Sequence, residues 1–363
     1  MQLKKKKAWR IVLFVLLSIL VLLTGGLWAL TVSIYNENFD KRFETYEPLM
    51  FQVEDFEGLS ITRYEFASDK GQMLTGYLYS VGEKQTGIIV LAHGFGGGGH
   101  NSYMDCINYF AQHGYYVFAY DATGNDESEG DGVGGIPQGV IDLDYAISFV
   151  EEVDGLKGLP IGLFGHSWGG YSVCNVLTYH PEVKAVVECS GCNRSSDLFE
   201  AEGKRQAGDF IYVMMPFVKI HEQIKYGKYA SNTAMDGFKA SDAAVMVVHS
   251  LDDDVVPIEY GFDLYYEKYG DDLRFTFLKF EDKGHNDVVN DNSDTYKDEF
   301  NAEFDKWLET LDYDYEADEN KERFIEDKAN YIHNHLDRER WSSRLDEALF
   351  RKFVSFYDDN MND

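Results

Sequence analysis

The segment Gly165-His166-Ser167-Trp168-Gly169-Gly170 sets a serine among glycines, directly after an apolar run ending at Phe164. A G-x-S-x-G corner between a strand and a helix holds the serine hydroxyl exposed on a sharp turn, with glycines leaving room for the backbone. A serine hydroxyl is a weak nucleophile until a base takes its proton, and that base needs a third group to orient it. Two later segments offer such partners: His249-Ser250-Leu251-Asp252-Asp253-Asp254-Val255-Val256-Pro257 and Lys283-Gly284-His285-Asn286. Each follows a strand-like run, so both fall on the C-terminal edge of a parallel sheet, where open α/β sheets hold their sites. The chemistry this implies is acyl transfer, with Ser167 attacking, His285 as base and one of three consecutive aspartates as orienting acid.

The elements that must position these residues alternate regularly. Runs rich in Val, Ile, Phe and Tyr at 60–66, 74–79, 88–91, 116–120, 161–164, 185–188, 245–248 and 275–280 read as strands. Helical stretches at 103–112, 137–153, 170–179, 259–268 and 295–311 separate most of them from the third strand onward. Two strands followed by repeated βα units predict an antiparallel edge on a doubly wound, mostly parallel eight-stranded sheet. The stretch between Cys192 and Asp242 is far too long for a βα loop and reads as a helical cap insertion over about 193–241. After Leu311, Trp341, Leu345, Leu349 and Phe353 recur every four residues, which predicts one apolar helical face docked on the core.

Over about 60–311 the chain resembles the α/β-hydrolase family, in particular its monoacylglycerol-lipase-like and serine aminopeptidase-like members. Five ordered motifs carry the resemblance: His93-Gly94-Phe95-Gly96 after the third strand, the glycine-rich turn from Asp121 to Gly130, the serine corner, the acid loop and the Gly284-His285 turn. The family pattern D-x-x-V-P selects Asp253 as the acid. It also implies an oxyanion hole made by the backbone N–H groups of Phe95 and Trp168. Two departures stand out: Ser250 replaces a usual glycine, and Asp126 replaces the second glycine of the post-strand turn. The resemblance implies a carboxylic ester hydrolase without cofactor or metal, acting on a small acyl-containing substrate, with aminopeptidase or thioesterase activity as the alternative on the same residues. It also places the cap over Ser167, which makes Phe210, Met214, Met215 and Phe217 candidate substrate contacts.

Composition narrows the setting. Of 363 residues, 44% are hydrophobic and the formal charge is −30, so the chain should fold and should repel phosphate backbones; nucleic-acid binding is disfavoured. The first ten residues are the opposite, with Lys4, Lys5, Lys6, Lys7 and Arg10. From Ile11 to Asn36 no residue is charged, long enough for a helix to cross a bilayer. The basic flank keeps the N-terminus cytoplasmic and sends the body outside, either as a signal-anchor spanning 1–36 or, if cleaved, as a secreted domain. Residues 37–56 then form a tether, 57–311 the hydrolase domain and 312–363 an acidic helical extension. Protein partners are not indicated.

Rival readings of the same residues are weaker. Gly94 to Gly99 also fits G-x-G-x-x-G, but two strands precede it, and a dinucleotide site leaves the serine corner and Gly284-His285 unexplained. A non-catalytic surface module on the same fold would not need Ser167, Asp253 and His285 together. His93 and His166 lie inside backbone-shaping motifs and are read as structural. Cys106, Cys174, Cys189 and Cys192 fit free thiols or one or two disulfides.

Overall fold

In the computed structural model, which describes residues 2–361, the chain opens with one long helix, α1 (Gln2–Phe39). From Trp9 to Leu30 its side chains are almost all exposed, and its inward face closes only at Thr31, followed one and two turns later by buried Tyr35 and Phe39. By length and composition this helix can cross a bilayer, as signal anchors and signal peptides both can.

The eight expected strands all form, within about two residues of their expected ends. They are β1 (Ser60–Ala67), β2 (Met73–Ser80), β3 (Gly87–Ala92), β4 (Tyr115–Tyr120), β5 (Ile161–His166), β6 (Ala185–Cys189), β7 (Ala244–Ser250) and β8 (Phe275–Phe280). They make one sheet in the order β1-β2-β4-β3-β5-β6-β7-β8, in which only β2 runs against its neighbours. The connecting helices are α2 (Met104–Gln112), α3 (Gln138–Glu152) and α4 (Trp168–Asn175). The long insertion after β6 folds as α5 (Ser195–Ala207), α6 (Ile211–Tyr226), α7 (Lys228–Ser231) and α8 (Ala234–Ala240). Beyond β7 come α9 (Phe262–Tyr269), α10 (Tyr296–Leu308), α11 (Lys321–His335), α12 (Arg338–Trp341) and α13 (Glu347–Met361).

Period-two alternation on the strands feeds two cores. On β3, Ile88 and Val90 pack with Val140, Ile147 and Trp168 on one face, while Ile89 and Leu91 pack with Ile107, Phe110 and Phe353 on the other. The C-terminal helix is therefore part of the second core, and Tyr357 donates a 2.6 Å hydrogen bond to the Leu163 carbonyl of β5. The single helical face expected over 341–353 is split. Trp341 ends α12, Leu345 pairs with Asn290 in an isolated bridge, and the Asp346 side chain accepts the Leu349 N–H at 3.0 Å, starting α13 afresh. All four cysteines are buried free thiols.

Candidate active site

Ser167 sits at the junction of β5 and α4 with φ 58° and ψ −115°, a left-handed backbone that a non-glycine residue adopts only where its surroundings enforce it. The corner is tight. A Cβ on Gly165 would lie 2.3 Å from the Gly169 carbonyl, and one on Gly169 would lie 1.9 Å from that of Ala92. The glycines are thus required by the close approach of β3, β5 and α4, and the consequence is a serine hydroxyl aimed off the sheet edge.

His285 meets that hydroxyl with Nε2 2.8 Å from Ser167 Oγ, and its Nδ1 lies 2.8 Å from Asp253 Oδ2. The Asp253 carboxylate also accepts the N–H groups of Val255 and Val256 at 3.0 and 2.8 Å, and His249 Nε2 lies 3.3 Å away. Burial alone would raise the Asp253 carboxyl, but the hydrogen bonds from His249 and His285 hold it well below the usual carboxylate range. An acid kept ionised in this way fixes the Nδ1–H tautomer of His285 and leaves Nε2 free to accept the serine proton.

The neighbouring acids do different things. Asp252 Oδ1 accepts Ser250 Oγ–H at 2.6 Å and the Gly284 N–H at 2.8 Å, while Ser250 Oγ accepts the Lys283 N–H at 2.9 Å. Ser250, where the resembling family has glycine, therefore ties the acid loop to the turn that carries His285. Asp126, the other departure, accepts the Gly99 N–H at 2.7 Å and both the backbone and hydroxyl of Thr45, at 2.6 and 2.7 Å. It fastens the glycine loop to the segment that follows α1. The amides a pyrophosphate would need at Gly99 and His100 are already donated to Asp126 and Asp121, beside two carboxylates that would repel it.

Behind the site runs a relay that sequence reasoning missed. The Tyr103 hydroxyl accepts the Gly94 N–H at 3.0 Å and donates to His166 Nδ1 at 2.9 Å; His166 Nε2 in turn donates to the His285 carbonyl at 2.9 Å. Burial, with His285 beside it, holds His166 down at about 3, so the ring is neutral and its two nitrogens keep distinct roles. The histidine of the serine corner thus ties the loop after β3 to the backbone of His285. His93 is likewise engaged in structure, accepting the Ala122 N–H at 3.0 Å while its Nδ1 lies 2.7 Å from the Gly94 carbonyl.

A cavity of about 700 Å³ opens on Ser167 and His285. Phe95 lines it and packs edge-on against buried Trp168, and neither backbone N–H meets an acceptor among the described residues. Its apolar lining includes Phe39, Phe43, Phe95, Ile136, Leu198 and Val255, and its polar lining Asp105, Asp287, Asn290, Lys297 and Arg344. The cap residues expected to touch substrate do not line this cavity. Met214 and Met215 are buried in the packing of the cap on the main core, while Phe210 lies exposed and Phe217 half-exposed at the molecular surface. The cap's contribution comes from Leu198 and Glu202 of α5, and the end of α1 supplies Phe39. Nothing local in the sequence marks Phe39 as a wall of a site more than a hundred residues away.

Fold and site geometry meet in the comparison with solved structures. An esterase of Pyrococcus furiosus superposes with a TM-score of 0.52 at 15% identity, covering 71% of this chain and 94% of the esterase. The chain has the α/β-hydrolase fold. A second crystal form of the same esterase gives a TM-score of 0.51 at 16% identity, covering 71% and 93% of the two chains. Acetyl xylan esterase 1 from a Thermoanaerobacterium species gives 0.48 at 16% identity, covering 77% and 92%. Residues 83–249 of the chain match the family described as Serine aminopeptidase, S33, a stretch that runs from just before β3 into β7 and includes the serine corner. No curated protein matches the sequence.

Proposed function

We propose that the protein is a membrane-anchored serine hydrolase that cleaves carboxylic esters on the extracytoplasmic side, with Ser167, His285 and Asp253 as its catalytic triad. The observation that carries this reading is the unbroken hydrogen-bonded line Ser167 Oγ, His285 and Asp253, with both contacts at 2.8 Å. His285 Nε2 takes the proton of Ser167 as Oγ attacks the acyl carbon, and Asp253 stabilises the imidazolium that forms. The N–H groups of Phe95 and Trp168 receive the developing oxyanion, and because both are already free of internal acceptors they need no rearrangement to do so. His285 then returns the proton to the leaving alcohol, and a water activated by the same nitrogen releases the acyl group from Ser167.

The apolar lining of the cavity favours an apolar acyl group, each buried methylene contributing up to about 0.8 kcal/mol until the length limit is reached. An aminopeptidase reading draws on Asp105 and Asp287, two carboxylates in the cavity lining that could meet a substrate ammonium, Asp287 by exchanging Lys297 for it, and on the description of the matched family. The test is labelling with a fluorophosphonate followed by rates on acyl esters of increasing chain length and on aminoacyl amides. Labelling of the wild type but not of Ser167→Ala, with esters fastest, supports the esterase. Amides turned over faster than esters would move the protein to the peptidase reading, and a folded wild type that takes no label would make it a binding module.

A further inference from the structure

The first half of helix α6, from Ile211 to Val218, carries no charged residue on either side, and apolar side chains continue on its outer side beyond. Ile211, Met214, Met215 and Val218 fill the core side, while Tyr212, Val213, Ile220 and Ile224 stand on the outer side, each about half exposed or more. An exposed apolar patch of this kind marks contact with more protein or with lipid. We infer that the N-terminal end of α6, with Phe210, Tyr212 and Val213, rests in the outer leaflet of the membrane that α1 spans. The inference rests on the anchor reading of α1.

The register between the two helices sets the depth. They pack side by side. Tyr35 meets the His221 ring at 5.3 Å between centroids and donates to Glu222 at 2.8 Å, and Asp40 faces Lys225 at 3.7 Å. Both helices therefore rise in the same direction nearly residue for residue. Counting back along this register brings Phe210 to Val213 level with about residues 24–27 of α1. A span beginning at Ile11, just past Arg10, uses ~20 residues to cross a ~30 Å hydrocarbon core and ends near Leu30. That is also where burial of α1 against the body begins, at Thr31. Two independent boundaries thus coincide, and they leave the tip of α6 ~5–9 Å inside the point where α1 leaves the hydrocarbon, among the upper acyl chains. The groups around the tip suit that depth. Phe210 is 59% exposed, Lys204 lies 5.4 Å from the Tyr212 ring centre, and Arg205 and Asp209 are exposed beside it. Aromatic and aliphatic side chains would enter the acyl boundary while these charges stay among headgroups, as in shallow interfacial helices.

The test uses the full chain in lipid bilayers. All four native cysteines are buried, so Val213→Cys, Ile224→Cys and Leu20→Cys can each carry one environment-sensitive fluorophore. Lipids bearing a quencher high on the acyl chain should remove roughly half or more of the Val213→Cys emission, and lipids quenching near the chain end about twofold less. Ile224→Cys, level with about residue 38, should respond to neither. Leu20→Cys reports on the span itself and should respond to the deep quencher. Quenching at Leu20 without quenching at Val213 or at a confirming Tyr212→Cys would overturn the α6 contact while leaving the anchor intact. Loss of quenching at all sites would remove the anchor and the contact with it. Emission at Val213 that ignores lipid quenchers but shifts with the protein-to-lipid ratio would assign the face to a second copy and overturn the inference.

Discussion

The rings of Phe39 and Phe95 stand 5.7 Å apart, one on the last turn of α1 and the other on the loop after β3 that lines the cavity at Ser167. Phe95 is gripped on two further sides, by Phe43 at 4.9 Å and by Trp168 edge-on at 5.5 Å. Phe39→Ala should therefore lower kcat on a short soluble ester by about tenfold, because a loosened Phe95 would misplace the proposed oxyanion donor rather than delete it, and should also lower the melting temperature, since a buried ring is lost. Phe39→Leu should recover most of the rate. Equal loss in KM and kcat would instead make Phe39 a plain contact surface.

Ser167→Ala and His285→Ala should each remove at least ~10³-fold of turnover and leave the protein folded. The double variant should lose hardly more than either single one, since the two side chains act as a unit. Additive losses, measured with the same ester, would contradict the shared proton path.

The three consecutive aspartates should separate cleanly. Asp253→Asn removes the ionised group against His285 Nδ1 and should cost ~10³-fold or more in kcat. Asp252→Asn weakens the tie to Gly284 and should cost about tenfold. Asp254, exposed and making no hydrogen bond among the described residues, should tolerate Asn. A larger effect at Asp254 than at Asp252 would mean that the Gly284 turn is not held from the acid loop.

Glu222 predicts the direction of a pH effect on stability. The carboxylate is 2% exposed, accepts from Tyr35 and from Ser195 at 2.7 Å, and is pushed up to about 7 by burial. Between the ordinary glutamate value of about 4.3 and this raised one, the folded chain holds a proton that the unfolded chain has lost. This contribution to stability is full below the lower value and is lost as pH rises through about 7. Melting temperature should thus fall from pH 5 to 7.5, and Glu222→Gln should flatten that slope by about one proton. Glu188 and Asp197, raised the same way by burial, would keep part of it. An unchanged slope in the variant would show that Glu222 is ionised in the folded protein.

What could be read from the sequence was set by short-range constraints. Ser167 was legible because Gly165 and Gly169 shape the corner from two residues away, and the strands because apolar runs must fill two faces of a sheet. Phe39, Leu198 and Tyr103 were not, since their relation to Ser167 exists only once α1, α5 and α2 converge on one sheet edge. The cap misled for a related reason: Met214 and Phe210 are apolar as substrate contacts would be, yet one faces the core and the other the exterior. The four-residue rhythm from Trp341 to Phe353 likewise gave no sign that Asp346 would restart the helix.

Helix α1 continues without a break from Leu30 to Phe39. With the span in a bilayer, this makes it a post of set height: nine residues lift the wall of the cavity ~13 Å above the point where the helix leaves the hydrocarbon. A slack linker would let the body drift and tumble, so that every approach to the surface was a matter of chance. A post allows rotation about the membrane normal and lateral drift, and little else. Reach then becomes a selection rule. A substrate dissolved in the surrounding fluid would arrive freely, whereas one embedded in the same leaflet would have to protrude far enough to bridge that gap, which would tie its rate to how easily it rises rather than to how much of it is present.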